Sequence, residues 1–133
     1  MQSLLLTSVQ WQTMRDHVQA QTPLEACGFL AGRDSQTLAI ILVRNQAQSP
    51  VRFAMDPIEQ LNAMEWIDSQ GLDLIGIFHS HPTGPETVSV TDIAEAAYEV
   101  VHVIWSRRGE EWQARGFWIE GDTAREVELR LAE

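Results

Sequence analysis

His79-Ser80-His81-Pro82 constrains this chain more than any other stretch. It follows an apolar run, Leu72 to Phe78, that reads as a strand, and it breaks that strand because Pro82 cannot continue a hydrogen-bonded ladder. Two histidines two positions apart on a strand face the same way. Thr83-Gly84-Pro85 prolongs the turn, and Ser89 and Asp92 open the next helix. Two imidazoles and one carboxylate are the protein ligand set of a catalytic zinc site with one position left for water. Each residue also has a plainer reading. His79 and His81 can be packed or exposed imidazoles. Ser89 and Asp92 have capping-box spacing, so Ser89 can simply cap and Asp92 can be a first-turn acid favoured by the helix dipole. Their convergence on one turn favours zinc.

A zinc hydrolase needs more than three ligands. Bound water loses a proton near neutral pH, with a pKa of about 7. A carboxylate must accept that proton and pass it to the leaving amine. A donor must stabilise the oxyanion, and Ser89 can be that donor. Spacing alone does not select the acid. Glu25 is the only acid between Asp16 and Asp34, and taken by itself it reads as a loop carboxylate in water.

The rest of the chain reads as alternating strands and helices. Ser3–Thr7 is a short strand. Thr7 or Ser8 caps a helix whose apolar face is Trp11, Met14 and Val18 and which Pro23 ends. Cys27–Gly32 enters a second strand, and Cys27 is a small buried thiol rather than a nucleophile, although histidines elsewhere leave a Cys–His hydrolase open. The unbroken apolar run Leu38–Val43 suits an interior strand buried on both faces. Arg52–Met55 alternates as a short strand. Asp56-Pro57-Ile58-Glu59 is a strong helix start with a capping box, Ile58, Leu61 and Met64 form the apolar face, and Gly71 ends the helix. A third helix runs from Val90 through Tyr98. Val100–Trp105 and Trp112–Ile119 are strands joined by a turn at Gly109, and Glu126–Leu131 is a final edge strand. His17 and His102 read as packed side chains, and Trp66, Trp105, Trp112 and Trp118 as core or edge packing. The pattern is one compact α/β domain over residues 1–133, a mixed sheet with about three helices.

Composition excludes several classes. The net charge is −10, and all nine basic residues are Arg. That surface lacks the basic footprint of a nucleic-acid binder. No run of about 18 apolar residues exists for a membrane span, the N-terminus lacks the basic residues of a signal peptide, and one cysteine allows no internal disulfide. A reducing cytoplasm is the expected location. Without Lys, the N-terminal amine is the one ordinary amine available for conjugation.

Taken together, Glu25 in Glu25-Ala26-Cys27-Gly28-Phe29-Leu30-Ala31-Gly32 and His79-Ser80-His81-Pro82, then six residues, Ser89, two residues and Asp92, resemble the motif of the JAMM (MPN+) metalloproteases, in their compact prokaryotic form. Ser80 sets the chain apart from RadC-like relatives, which usually carry His-Asn-His. The resemblance implies a fold similar to cytidine deaminase, a curved mixed sheet between helices, without the deaminase His-x-Glu and paired cysteines. It implies one zinc ion held by His79, His81 and Asp92, Glu25 as general base and acid, and Ser89 as donor to the tetrahedral intermediate. Val88 stands where many small members carry Pro, a change in loop stiffness more than chemistry. The implied reaction is hydrolysis of a peptide or isopeptide bond after the Gly-Gly tail of a ubiquitin-like or sulfur-carrier protein. A metal-free MPN scaffold and a small-amide hydrolase are the alternatives. The tail is expected to lie beside Arg52–Met55 by strand addition.

Overall fold

The computed structural model describes residues 2–132. Seven strands and three helices follow in the order β1 (Ser3–Leu6), α1 (Ser8–Gln21), β2 (Cys27–Arg33), β3 (Gln36–Val43), α2 (Pro57–Ser69), β4 (Asp73–His81), α3 (Val90–Glu95), β5 (Val101–Arg108), β6 (Glu111–Glu120) and β7 (Thr123–Leu131). The sheet is mixed and curves until it closes, in the order β1-β3-β2-β4-β5-β6-β7. β4 lies at its centre, antiparallel to β2 and parallel to β5.

Strand alternation divides the core in two. On one face, Leu30, Phe78, Val103 and Trp105 pack with Met14 and Val18 of α1. On the other, Cys27, Phe29, Ala31 and Ile77 pack with Ala63 and Ile67 of α2. The first face is the denser in aromatics, with Trp11 tilted against Trp105 at 4.8 Å between ring centres, a contact worth about 0.5–1.5 kcal/mol beyond its area. Gly28 makes the central crossing possible, because a Cβ there would lie 2.3 Å from the Phe78 ring and 2.4 Å from the Ile41 carbonyl.

Helix ends follow the sequence closely. Thr7 caps α1 in a full capping box with Gln10. Asp56 caps α2, with Pro57 in its first turn, and Gly71 follows at a φ of +67°. Glu59 does not complete the expected box. Its carboxylate accepts from Arg44 N at 2.9 Å instead, tying the helix to the end of β3.

Several expectations are corrected. β4 ends before Pro82 as expected, but its ladder runs past Phe78 through His81, which pairs with Ser106 of β5. Of the expected α2 face only Met64 packs inward, since Ile58 and Leu61 are 72% and 58% exposed. Gln60, Ala63, Met64 and Ile67, at the i, i+3, i+4, i+7 spacing, turn inward instead. Small Ala63 lets the helix approach the sheet, and apolar residues on both sides blur the period. β3 is not buried on both faces, because Leu38 and Leu42 alternate outward. α3 stops at Glu95, its C-cap Ala96 being extended. β7 is no edge, because β1 pairs with it in parallel on the side away from β6. Arg52–Met55 contributes only one isolated bridge, Asn45 to Met55. Trp105 and Trp112 are buried as expected, whereas Trp66 is 44% exposed.

Candidate active site

β4 sets the first two side chains. By period two His79 and His81 fall on the same face as Ile77, the α2 side of the sheet, and their Nε2 atoms lie 3.0 Å apart. Asp92 comes to them from α3. Its Oδ1 is 3.2 Å from His79 Nε2 and its Oδ2 is 3.1 Å from His81 Nε2. The helix cap aims that carboxylate. Ser89 Oγ accepts from Asp92 N at 3.0 Å, and Asp92 Oδ2 accepts from Ser89 N at 2.8 Å. The capping role of this pair and its place in the site are therefore one arrangement. Accepting at the cap leaves the Ser89 hydroxyl proton free to donate.

Glu25 enters from the other direction, just before β2. Cys27 pairs with His79 across β2 and β4, and Glu25 lies two positions earlier on the same face. Its ligand atom and those of His79 and His81 all lie within 4.8 Å of one another. The residue is 3% exposed, and its Oε1 has no hydrogen-bond partner. The backbone around it is fixed from three sides. Glu25 N donates to Ser49 O at 2.8 Å. Asn45 Nδ2 donates to Glu25 O at 2.9 Å. Ser80 Oγ accepts from Ala26 N at 2.8 Å, while Ser80 N donates to Ala26 O at 3.0 Å.

Burial and charge divide the titrations. Burial pushes Glu25 up to about 7, with His81 opposing and Asp92 adding to the rise. Burial also opposes ionisation of Asp92, but the bonds from His79 and His81 win and hold it well below the usual carboxylate range. The two histidines share that carboxylate yet move apart. Burial lowers His79 despite Asp92. Burial also works against protonated His81, but Asp92, the Pro85 carbonyl and Glu25 outweigh it and raise the ring. Cys27, buried and close to Glu25 and Glu59, is pushed up to about 12, which removes it as a nucleophile.

The donor set suits a metal ion. Two imidazole nitrogens and a carboxylate face one another across 3.0–3.2 Å. A tetrahedral zinc with bonds of about 2.0–2.1 Å holds its ligands about 3.3 Å apart. His81 Nδ1 lies 2.8 Å from Pro85 O, so it donates there and leaves Nε2 as the lone-pair nitrogen. The orphaned Glu25 oxygen completes a buried, electron-rich pocket.

Two cavities flank the cluster. One of about 250 Å³ is lined by Phe53, Met55, Ile77, Tyr98 and His102 and reaches His79 and Asp92. The other, about 130 Å³, reaches Glu25, His81, Ser89, Gly84 and Pro85. Val51 borders both.

Sequence reasoning did not give three residues their supporting roles. Ser80 faces away from the histidines by period two and is fully buried, so its hydroxyl needed a partner. Asn45 looked like loop but bridges four backbone groups, at Glu25, Ala47, Arg52 and Ala54. Phe53 stacks on His79 at 4.5 Å and 27°. His102 is packed, as expected, but against the site. His17 is packed edge-on to Phe78, remote from it.

Comparison with known proteins finds relatives of the chain. A family model described as prokaryotic homologs of the JAB domain matches residues 7–119. A protein named desampylase from Pyrococcus furiosus is 37% identical over 94 residues, 70% of this chain and 67% of that protein. A probable TtuB-protein conjugate cleaving protease from Thermus thermophilus is 36% identical over 96 residues, 71% of this chain and 64% of its own. The chain thus matches about two thirds of the length of these relatives. A solution structure of a Desulfitobacterium hafniense protein superposes with a TM-score of 0.88 at 34% identity, covering 98% of this chain and 93% of that one.

Proposed function

Because the chain belongs to the family of prokaryotic homologs of the JAB domain, we propose that it is a zinc-dependent peptidase or isopeptidase that cuts after the Gly-Gly tail of a ubiquitin-like or sulfur-carrier protein in the cytoplasm. One observation carries the reading: Glu25, His79, His81, Ser89 and Asp92, drawn from three separate segments, converge on one partly enclosed site. The relatives named for desampylation and for cleavage of TtuB conjugates support the substrate class. Among the described residues no helix is long and apolar enough to cross a membrane.

His79, His81 and Asp92 would hold the ion. Bound there, zinc supplies Lewis acidity and a water acidic enough to deprotonate near neutral pH. Glu25 would take a proton on its free Oε1 and return it to the leaving amine. Its pKa near 7 in the absence of a cation falls when positive charge sits beside it, which readies the carboxylate as base. Ser89 donates its hydroxyl to the developing oxyanion. Asp92, fixed by two hydrogen bonds to Ser89, moves little as charge shifts, and such preorganisation gives electrostatic stabilisation its value. The substrate tail runs past Val51–Met55, with an apolar side chain in the larger cavity and the glycine end toward Gly84 and Pro85. The alternation of this segment and its place as cavity wall support that path.

The test uses zinc-loaded protein and ubiquitin-like carriers extended beyond Gly-Gly. Mass spectrometry should show a product ending in Gly-Gly, lost on chelation and restored by zinc. Stoichiometric zinc without cleavage of any such carrier or conjugate would leave a scaffold.

A further inference from the structure

The two histidines of the cluster are supported unequally. A metal-ligating imidazole nearly always donates its second N–H to an acceptor, which fixes the tautomer and the ring plane. His81 does so, through Nδ1 and the Pro85 carbonyl at 2.8 Å. His79 does not. Its Nε2 faces His81 and Asp92, and its Nδ1 is buried without a hydrogen-bond partner. Stacking on Phe53 holds the ring plane, but a phenyl ring accepts no N–H comparably well.

Another orphan lies in the same cavity. His102 is 4% exposed, and its Nε2 is also buried without a partner. β5 pairs His102 with Ile77 and Ile104 with His79, so His102 projects from the same face as His79, one side-chain step back along the sheet. Both rings line the 250 Å³ cavity. The Tyr98 backbone lies beside the His102 ring and favours a proton on it. Its Nε2 is buried with no partner, so with the ring proton on Nδ1, toward Tyr98, Nε2 is an acceptor. With His79 Nε2 given to the ion, its proton sits on Nδ1, so one buried donor and one buried acceptor line the same cavity, each costing about 1–3 kcal/mol while unpaired.

We propose that His102 is a positioning residue for the metal site, its Nε2 accepting from His79 Nδ1–H through one bridging water and so completing a relay from the Tyr98 carbonyl to His79. This rests on the metal-binding reading above. The cavity is roomy enough for a water, which needs about 10–15 Å³ of accessible volume and two or more polar partners. Strand β5 is a firm base for such a role, with His102 paired on both sides, to Ile77 of β4 and Phe117 of β6. A leucine at 102 would fill the space but accept nothing. A glutamine would return an acceptor oxygen at a reach close to that of Nε2.

The test is metal affinity, measured by chelator competition with Zn²⁺ on wild type, H102L and H102Q. The relay predicts a dissociation constant raised about 10–100-fold in H102L, within threefold of wild type in H102Q, with similar melting temperatures for the metal-free forms. Equal affinity in wild type and H102L would overturn the relay and leave the ligand assignment intact. Absence of stoichiometric zinc from wild type would overturn both. Should H102L fold poorly, ring ¹⁵N–¹H NMR of the zinc-loaded wild type decides alone. The relay requires a proton on Nδ1 of both His79 and His102, and a His102 protonated on Nε2 refutes it.

Discussion

Asn45→Ala tests how far the site depends on its loop support. Asn45 Nδ2 donates to the carbonyls of Glu25 at 2.9 Å and Arg52 at 3.1 Å, and Oδ1 accepts from Ala47 N at 3.0 Å and Ala54 N at 2.9 Å. At a net 0.5–1.5 kcal/mol each, the four bonds amount to about 2–6 kcal/mol. Three reach partly exposed groups that water can satisfy after truncation, and one is buried. The expected loss is therefore about 3 kcal/mol, or a fall of about 10 °C in melting temperature. Function should suffer beyond stability. Glu25 keeps its bond to Ser49 but loses the carbonyl tether, and a drift of about 1 Å in a catalytic group costs on the order of 10²-fold in rate. Asn45→Asp keeps the shape but sets an anionic oxygen against the two carbonyls, and should be at least as damaging. Urea unfolding of the metal-free protein and turnover of the zinc-loaded protein at a temperature where both are folded read the two effects separately. If Asn45→Ala unfolds within 0.5 kcal/mol of wild type (a surface-like value) and turns over at an unchanged rate, the hub is incidental and the account of Glu25 positioning is wrong.

Four further outcomes follow from the same geometry. Glu25→Gln should keep stoichiometric zinc and lose nearly all turnover; wild-type-like activity would remove Glu25 from its role. The same variant reports a pH linkage in the metal-free protein. Glu25 has a folded pKa raised from 4.5 to about 7, so its contribution is fully present below pH 4.5 and lost as pH rises through 7. Stability of Glu25→Gln relative to wild type should therefore climb by about 3 kcal/mol between pH 4.5 and 8, and a flat difference in urea titrations contradicts the burial argument. Ser89→Ala should lower kcat by about 10²-fold from the lost donor and stability by about 1 kcal/mol from the lost cap, whereas a change in stability alone would make Ser89 a cap and nothing more. Cys27, fully buried with its thiol pushed up to about 12, should label with a thiol reagent at pH 8 only as fast as the chain opens, checked by comparing labelling with unfolding rates in increasing urea.

What could be read in advance depended on whether a residue's role is local. Capping signals, Gly71 and the strand preceding His79 are short-range, and the sequence states them outright. Glu25, His79, His81, Ser89 and Asp92 were legible as a recurring pattern, but spacing alone offered Glu25 no reason to meet the histidines. The register that places Cys27 opposite His79 does that. The errors lie where tertiary packing chooses between equal local options. Both faces of α2 carry apolar residues, and the tether from Glu59 to Arg44 N accompanies the orientation that exposes Leu61. The apolar run stops at Phe78, yet the parallel ladder with β5 carries β4 through His81, up to Pro82. Asn45 and Ser80 were illegible because their partners are backbone groups far away in sequence, and no periodicity announces them.

The seam between β1 and β7 has a kinetic side. Ser3 pairs with Glu128 and Leu6 with Leu131, so the sheet closes on its two most distant strands. Contacts of such separation carry the largest loop-closure entropy and are rewarded last. β2, β4 and β5, which hold Glu25 and the histidines, can pair before the seam exists. Substitutions at buried Leu4 or Val127 should then quicken unfolding more than they slow folding. On this view the catalytic layer belongs to the early half of the folding reaction, and the seam governs how long the assembled molecule lasts.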